Sequence, residues 1–324
     1  MNPIPLHPLL FSPLHRHYLW GGRRLERLFG RRLPSEDVVA ESWELVDRGD
    51  DQSIVAAGPL AGTSLGELVH NRGRELLGDL HPPGPFPLLF KFLDACLDLS
   101  VQVHPDDARA AKLVPPDRGK TEAWYVIDAE PGSRIYAGLE PGTTRERLGQ
   151  AIAQGRAAEV LASFEAKPGD CVFVPAGTVH AIGEGIVIAE IQQSSDVTYR
   201  LFDWNRVGPD GRPRPLHVEA GLEAVKQFEP VGPVVPATTA DPVAKRLVEC
   251  PFFLLDEVRP QGGWQTGGDG RFRFLAVIHG RIHLEDHWSL PPLGPGRCVL
   301  LPASIGPQRL ATDPGTTLLE ISIP

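Results

Sequence analysis

Short runs in which apolar and polar residues alternate recur along this chain, and they locate its strands. In Leu99-Ser-Val-Gln-Val-His-Pro105, apolar Leu99, Val101 and Val103 alternate with Ser100, Gln102 and His104. Successive strand side chains point to opposite faces, so Gln102 and His104 project from one face, about 7 Å apart. Strand-like segments crowd 86–104 and 122–138, and return at 170–175 and 186–193. In the last of these Ile186, Ile188, Glu190 and Gln192 share a face that turns polar toward the strand's end. Helical signals are fewer. Ser64-Leu-Gly-Glu67 has the capping-box pattern and predicts a helix to about residue 77. Residues 105–112 predict a helical turn with acidic residues at its N-terminus, 143–164 a helical excursion starting at Thr143 or Thr144, and 217–228 an amphipathic stretch.

The polar positions of these strands carry the candidate chemistry. Gln102 and His104 lie on one predicted face, Glu122 opens the run Glu122-Ala-Trp-Tyr-Val-Ile127, and His180 follows a turn in Gly169-Asp-Cys-Val-Phe-Val-Pro-Ala-Gly-Thr-Val-His180. A lone strand histidine is more often a packed residue than a ligand. Two imidazoles, a carboxylate and an amide oxygen aimed at one point suit a divalent ion of borderline or hard character. The spacing Gly169-x5-Pro175-x-Gly177-x2-His180 is similar to the second sequence motif of cupin barrels. Its sense is physical: Pro175 fixes φ and ends ladder donation, Gly177 can take a positive φ, and the chain reverses.

With 324 residues, 34 glycines and 33 prolines, the chain is built for many short strands joined by tight turns, in two domains or one large β unit. A net charge of −9 argues against a nucleic-acid or anionic-membrane surface, so an anionic substrate needs a local basic pocket. Cys96, Cys171, Cys250 and Cys298 are widely spaced and read as buried thiols in a reducing compartment. The N-terminus is broken by prolines, and no stretch approaches the roughly 20 apolar residues of a membrane span, so the expected location is the cytoplasm.

Glu229-Pro-Val-Gly-Pro-Val-Val-Pro236 predicts a semi-rigid linker. Beyond it, short strands at 252–258, 271–278, 281–284, 298–301 and 317–323 include Gly296-Arg-Cys-Val-Leu-Leu-Pro-Ala303, an echo of Gly169-Asp-Cys-Val-Phe-Val-Pro-Ala176. This internal repeat marks a second cupin-like unit. It has Ser304-Ile-Gly306 where the first has Gly177-Thr-Val-His180, so no metal is expected there. His279, His283 and His287 read as solvated strand residues.

The quartet and its surroundings resemble the type I mannose-6-phosphate isomerases of the short bacterial form, within the cupin superfamily. The resemblance is carried by Trp20-Gly-Gly22, Glu41-Ser-Trp-Glu44, Val101-Gln-Val-His-Pro-Asp-Asp107, Gly119-Lys-Thr-Glu-Ala-Trp-Tyr125, Val174-Pro-Ala-Gly-Thr-Val-His180, Glu190-Ile-Gln-Gln-Ser-Ser-Asp-Val-Thr-Tyr-Arg200 and Asp203-Trp-Asn205. It implies a mainly β fold. A metal-binding catalytic cupin domain with helical insertions would span 1–228, a Pro-rich linker 229–246, and a smaller degenerate cupin-like domain 247–324. It further implies Zn²⁺ on Gln102, His104, Glu122 and His180, with Lys120, Arg200 and Asp196 flanking the site. The implied activity interconverts mannose-6-phosphate and fructose-6-phosphate through an enediol. The implied partner is a small hexose phosphate rather than nucleic acid or membrane, acted on by a monomer or weak homodimer. Longer family members carry a helical domain for which this chain has no room.

Two alternatives use the same residues. Two histidines and a carboxylate also form the facial triad of an Fe²⁺ dioxygenase, and a silent sugar-binding cupin needs no chemistry at all. The fourth ligand Gln102 and the basic pair Lys120 and Arg200 favour the isomerase. Lys91, amid apolar residues in Leu88-Leu-Phe-Lys-Phe-Leu93, is either a buried salt bridge or a phosphate contact.

Overall fold

Alternating strands dominate the molecule as their pattern predicts, and they assemble into facing antiparallel sheets. The structure, a computed structural model, describes residues 4–30, 32–33, 37–79, 84–208, 211–235, 243–285 and 290–324. Most strands between residues 14 and 202, the first unit, form two sheets. One has six strands in the order Cys171–Val174, Glu122–Ala129, Ile186–Gln193, Leu88–Ala95, Glu41–Leu45 and Leu14–Arg16. The other has five, in the order Leu161–Glu165, Arg134–Leu139, His180–Ile182, Val101–Val103 and Tyr199–Phe202. Between them lies a core of Leu93, Trp124, Val126, Ile135, Val172, Ile182 and Ile188. Burying a side chain of this kind contributes about 1.5–3 kcal/mol.

The second half repeats the plan at smaller scale. Ala244–Glu249, Leu254–Val258, Thr317–Ser322, Arg273–His279 and Cys298–Leu301 make a five-stranded sheet, faced by Gly263–Thr266, Gln308–Thr312 and Ile282–Leu284. The two halves share one core. Phe90 and Phe92 of the six-stranded sheet, with Phe86 just before it, pack in the same cluster as Phe274 and Ile321 of the second unit's sheet and Phe272 just before its strand. The rings of Phe90 and Phe274 lie 5.0 Å apart. Tyr125, on the opposite face of its strand from Glu122, donates its hydroxyl to Glu257 at 2.6 Å across this contact.

The linker is pinned. Val231 N–H donates to Ala137 O and Val234 N–H to Cys171 O, so 229–235 runs along the first unit. Residues 236–242 of the predicted linker, and His287, lie outside the described residues. The chain's start crosses the other way, where Leu9 exchanges two backbone hydrogen bonds with Leu300.

Helices follow their caps. Ser64 accepts from Glu67 N–H and opens Leu65–Leu77; Asp106 accepts from Arg109 N–H and opens Asp107–Ala110; Thr144 accepts from Arg147 N–H and opens Arg145–Ala153. The predicted excursion over 143–164 is α-helical only over Arg145–Ala153, followed by a short 3-10 turn at Ala157–Val160. Gly155 takes φ +69°, and Leu161–Glu165 pairs instead with Arg134–Leu139, because a sheet edge offers that segment partners a solitary helix end does not. The thiols differ from expectation as well. Cys171 and Cys250 are buried, whereas Cys96 is exposed and Cys298 half-buried. No helix among the described residues is long and apolar enough to cross a membrane.

Candidate metal centre and active site

Strand register brings the candidate ligands together. In the five-stranded sheet Gln102 lies directly opposite His180 on one neighbouring strand and Arg200 on the other, which puts all three on one face. In the six-stranded sheet Glu122 pairs with Gln192, and Lys91 with Glu190, so the polar positions of these strands line the opposing face. The turn 175–180 works as its residues require. Thr178 N–H bonds to Pro175 O, and Gly177 N–H to His104 O. Gly177 has φ +91°, and a Cβ there would sit 2.8 Å from Lys226 Cβ. A second tight approach sets Lys120. Gly119 packs against the backbone of Asp106 and Asp107, where a Cβ would lie 2.5 Å from Asp107 N, and Lys120 N–H donates to Pro105 O.

His104, Glu122 and His180 place one ligand atom each within 4.8 Å of one another, and all three are buried. Both imidazoles are oriented from behind. His104 Nδ1 lies 2.9 Å from Val197 O, and His180 Nδ1 lies 2.9 Å from Thr178 O. A carbonyl only accepts, so each Nδ1 carries the proton and each Nε2 offers a lone pair to the cluster. The His180 lone pair faces another acceptor, whereas that of His104 lies 3.2 Å from Lys120 Nζ. Glu122 Oε1 is 3.3 Å from His180 Nε2 and has no hydrogen-bond donor. Buried acceptors aimed at each other call for a cation. Gln102 joins them, its side-chain amide 3.2 Å from His180 Nε2, and an amide turned about its last bond presents oxygen at that place. These residues therefore fit a divalent ion.

The electrostatics agree. Burial pushes Glu122 up to about 7 against the pull of Lys120, and burial takes His180 down to about 4 and His104 well below its usual value. Lys120 is buried in contact with Glu122, 3.2 Å from His104 Nε2 and 3.5 Å from Glu190 Oε1. Burial works to raise Glu190, yet the ammonium groups of Lys120 and Lys91 hold it lower and ionised. Lys91 sits 3.2 Å from both Glu41 and Glu190, a buried salt bridge, and it also lines the cavity shared by Gln102 and Arg200. Burial disfavours its charge, but those two carboxylates outweigh it and raise its pKa.

Gln102, Lys120, Asp196 and Arg200 line one cavity of about 330 Å³, with Tyr18, Trp20, Ser100 and Arg214. Asp196 is exposed at its edge. Three of these participants carry weak sequence signals. Glu190 is visible as a polar break in an apolar strand, whereas Glu41 and Arg214 reach the cavity only through strand order and a loop that pattern does not predict.

A family model described as "Phosphomannose isomerase type I, catalytic domain" matches residues 9–127. A mannose-6-phosphate isomerase of Bacillus subtilis is 36% identical over 310 residues, 94% of this chain and 95% of the relative. The chain belongs to the type I phosphomannose isomerase family. A mannose-6-phosphate isomerase of Streptococcus mutans is 37% identical over 91% of this chain and 92% of its own. The crystal structure of a B. subtilis mannose 6-phosphate isomerase superposes with a TM-score of 0.89 at 32% identity, covering 98% of this chain and 99% of that one. The cupin architecture expected from sequence is thus shared along the whole chain. Membership of this isomerase family gives the dioxygenase and silent sugar-binding alternatives no support.

Proposed function

We propose that this chain interconverts mannose-6-phosphate and fructose-6-phosphate through an enediol, with Zn²⁺ held by Gln102, His104, Glu122 and His180. The observation that carries this is the buried set of mutually facing acceptors beside a cation-lined cavity. Two neutral imidazoles, one carboxylate and one amide oxygen suit a borderline, redox-inert ion. Held by these residues, such an ion would supply a Lewis acid for the oxygen atoms on which charge develops.

The chain's own groups do the rest. Arg200 and Arg214, permanently charged and on the same cavity, bind the phosphate and hold the sugar so that C1 and C2 reach the cluster. The proton leaves C2 as the C1–C2 double bond forms and the C1 carbonyl oxygen takes a proton to become a hydroxyl; a proton then returns to C1 as the C2 hydroxyl gives up its own and the ketose carbonyl forms at C2. Lys120, whose Nζ contacts the cluster, serves this proton transfer, while Glu190 and Lys91 fix its surroundings. Asp196 at the cavity edge orients the sugar's hydroxyls. We assign the whole site to 1–228, with 229–246 as connector and 247–324 as a unit lacking the ligand set. The substrate is a free hexose phosphate met in the cytoplasm by a monomer or weak homodimer, without nucleic acid or membrane.

The decisive experiment follows fructose-6-phosphate formation from mannose-6-phosphate by chelator-treated and Zn²⁺-reloaded protein. Activity should vanish and return without oxygen consumption. In deuterated water some label should enter C1 or C2. Full activity in a metal-free preparation, or none in the reloaded one, would end this reading.

A further inference from the structure

The loop that carries Arg214 to the cavity is held by one carboxylate. Asp203 follows the strand Tyr199–Phe202, is 6% exposed, and accepts from Arg214 Nε at 2.7 Å, from Arg214 Nη2, and from Arg206 Nη2 at 2.7 Å. A guanidinium has five N–H donors. The fork to Asp203 uses two and leaves three, on the edge away from Asp203, for a ligand. Arg206 does not line the cavity.

The backbone beside Asp203 is unusual. Trp204 and Asn205 have φ of +53° and +55°, a left-handed pair that side chains other than glycine adopt at a cost of about 1–2 kcal/mol each. The surroundings hold it in place. Trp204 Nε1 donates to Leu99 O at 2.6 Å, and its ring packs on Phe202 and Tyr136. The returning segment is tied to Arg200, whose Nη1 donates to Pro215 O at 3.1 Å and whose backbone carbonyl accepts from His217 N–H. Asp203 thus sits where a strained reversal brings Arg214 alongside Arg200. The guanidinium groups of Arg200 and Arg214 line the same cavity, and the charge of Arg214 adds to burial in lowering the Arg200 pKa. Such a corner is made for an anion.

We propose that Asp203 is a positioning residue that orients Arg214 for the substrate's phosphoryl group, so that selectivity for a phosphorylated sugar depends on a carboxylate that never touches it. This rests on the phosphate role given above to Arg214, and the test separates the two. In the Zn²⁺-loaded full chain, KM for mannose-6-phosphate, kcat, and the competitive Ki of inorganic phosphate are measured for Arg214→Ala, Asp203→Asn, the double variant and Arg206→Ala. Arg214→Ala should raise KM and Ki about 10-fold or more with kcat within about threefold. Asp203→Asn should raise both about five- to tenfold, Arg206→Ala should leave them unchanged, and the double variant should match Arg214→Ala alone. Arg214→Lys keeps the charge but loses the fork, and should reproduce Asp203→Asn even if the latter folds poorly. An unchanged phosphate Ki in Arg214→Ala overturns the phosphate role itself. A raised Ki in Arg214→Ala with an unchanged one in Asp203→Asn or Arg214→Lys, or additive effects in the double variant, overturns the positioning role alone.

Discussion

The two halves of this molecule use one sheet plan for opposite purposes. In the first, Val174 pairs with Glu122, Trp124 with Glu190, and Glu190 with Lys91. In the second the corresponding pairs are Leu301 with Arg273, Leu275 with Glu320, and Glu320 with Asp256. Arg273 stands where the carboxylate ligand would be, and it is neutralised by Glu320 at 3.0 Å and Asp269 at 2.7 Å. The first strand residue after the turn is His180 in one half and Gln308 in the other. His180 turns its Nε2 to the cluster, whereas Gln308 donates its amide back to Ile305 O. Beyond these pairs the second interior is apolar, built of Val258, Leu275, Val277, Ile282, Leu284, Val299, Leu301, Leu310 and Leu318. A metal centre therefore needs more than the fold. It needs buried acceptors facing one another, and the second half has replaced its charges with pairs that satisfy themselves.

The largest expected effect comes from breaking the first half's set. His104→Ala or Glu122→Gln should remove the bound ion and lower kcat/KM by at least about 10³-fold, roughly 4 kcal/mol. Arg273→Met, at the matching place in the second half, should leave kcat/KM within about twofold. Elemental analysis and steady-state kinetics on the same preparations check both, and a strong kinetic effect of Arg273→Met would show that the halves are coupled in catalysis. Next in size is Arg200→Met. It should lower kcat/KM by at least about 10²-fold, near 2.7 kcal/mol, with the melting temperature little changed, since its side chain serves the cavity rather than the core.

Smaller still is the contact between halves. Tyr125→Phe removes the hydroxyl that donates to Glu257, while Arg259 still pairs with Glu257 at 2.7 Å. The loss should be about 1 kcal/mol of unfolding free energy with kcat/KM within about twofold, read by denaturant titration beside an activity assay. A large fall in activity without loss of stability would mean that the second half shapes the strand bearing Glu122.

What the sequence discloses divides along the same line. Gln102, His104 and Glu122 stand in alternating runs, and a period of two fixes their faces before any partner is known. His180 is disclosed by a turn whose proline and glycine each have a backbone reason. Arg214 is not disclosed, because its place depends on a left-handed reversal at Trp204 and Asn205, and although asparagine tolerates that conformation the tryptophan gives no sign of it. Nor is the fate of 161–165, where the apolar spacing of a helix was overridden by a sheet edge in need of partners. The repeat at 296–303 is legible as a turn, but the Arg273–Glu320 pair that makes it inert is set by cross-strand register, which only the assembled sheet defines.

The smallest effect expected is none at all, and it tests the comparison most sharply. Gln308→His restores an imidazole to the second half at the start of the strand after the turn, the position His180 holds in the first. If a histidine at that position sufficed, the ratio of bound metal to chain would rise. It should not. The register place of Glu122 is filled by the Arg273 guanidinium, whose positive charge repels a cation, and the Glu320 carboxylate is already taken by Arg273 and by Trp264 Nε1 at 3.0 Å. An incoming ion would have to break both bonds in exchange for one new nitrogen ligand. Titration with Zn²⁺ should thus give the same stoichiometry for Gln308→His as for the parent. A second equivalent bound with comparable affinity would mean that the absent histidine, and not the self-satisfied charge pair, is what keeps the second half silent.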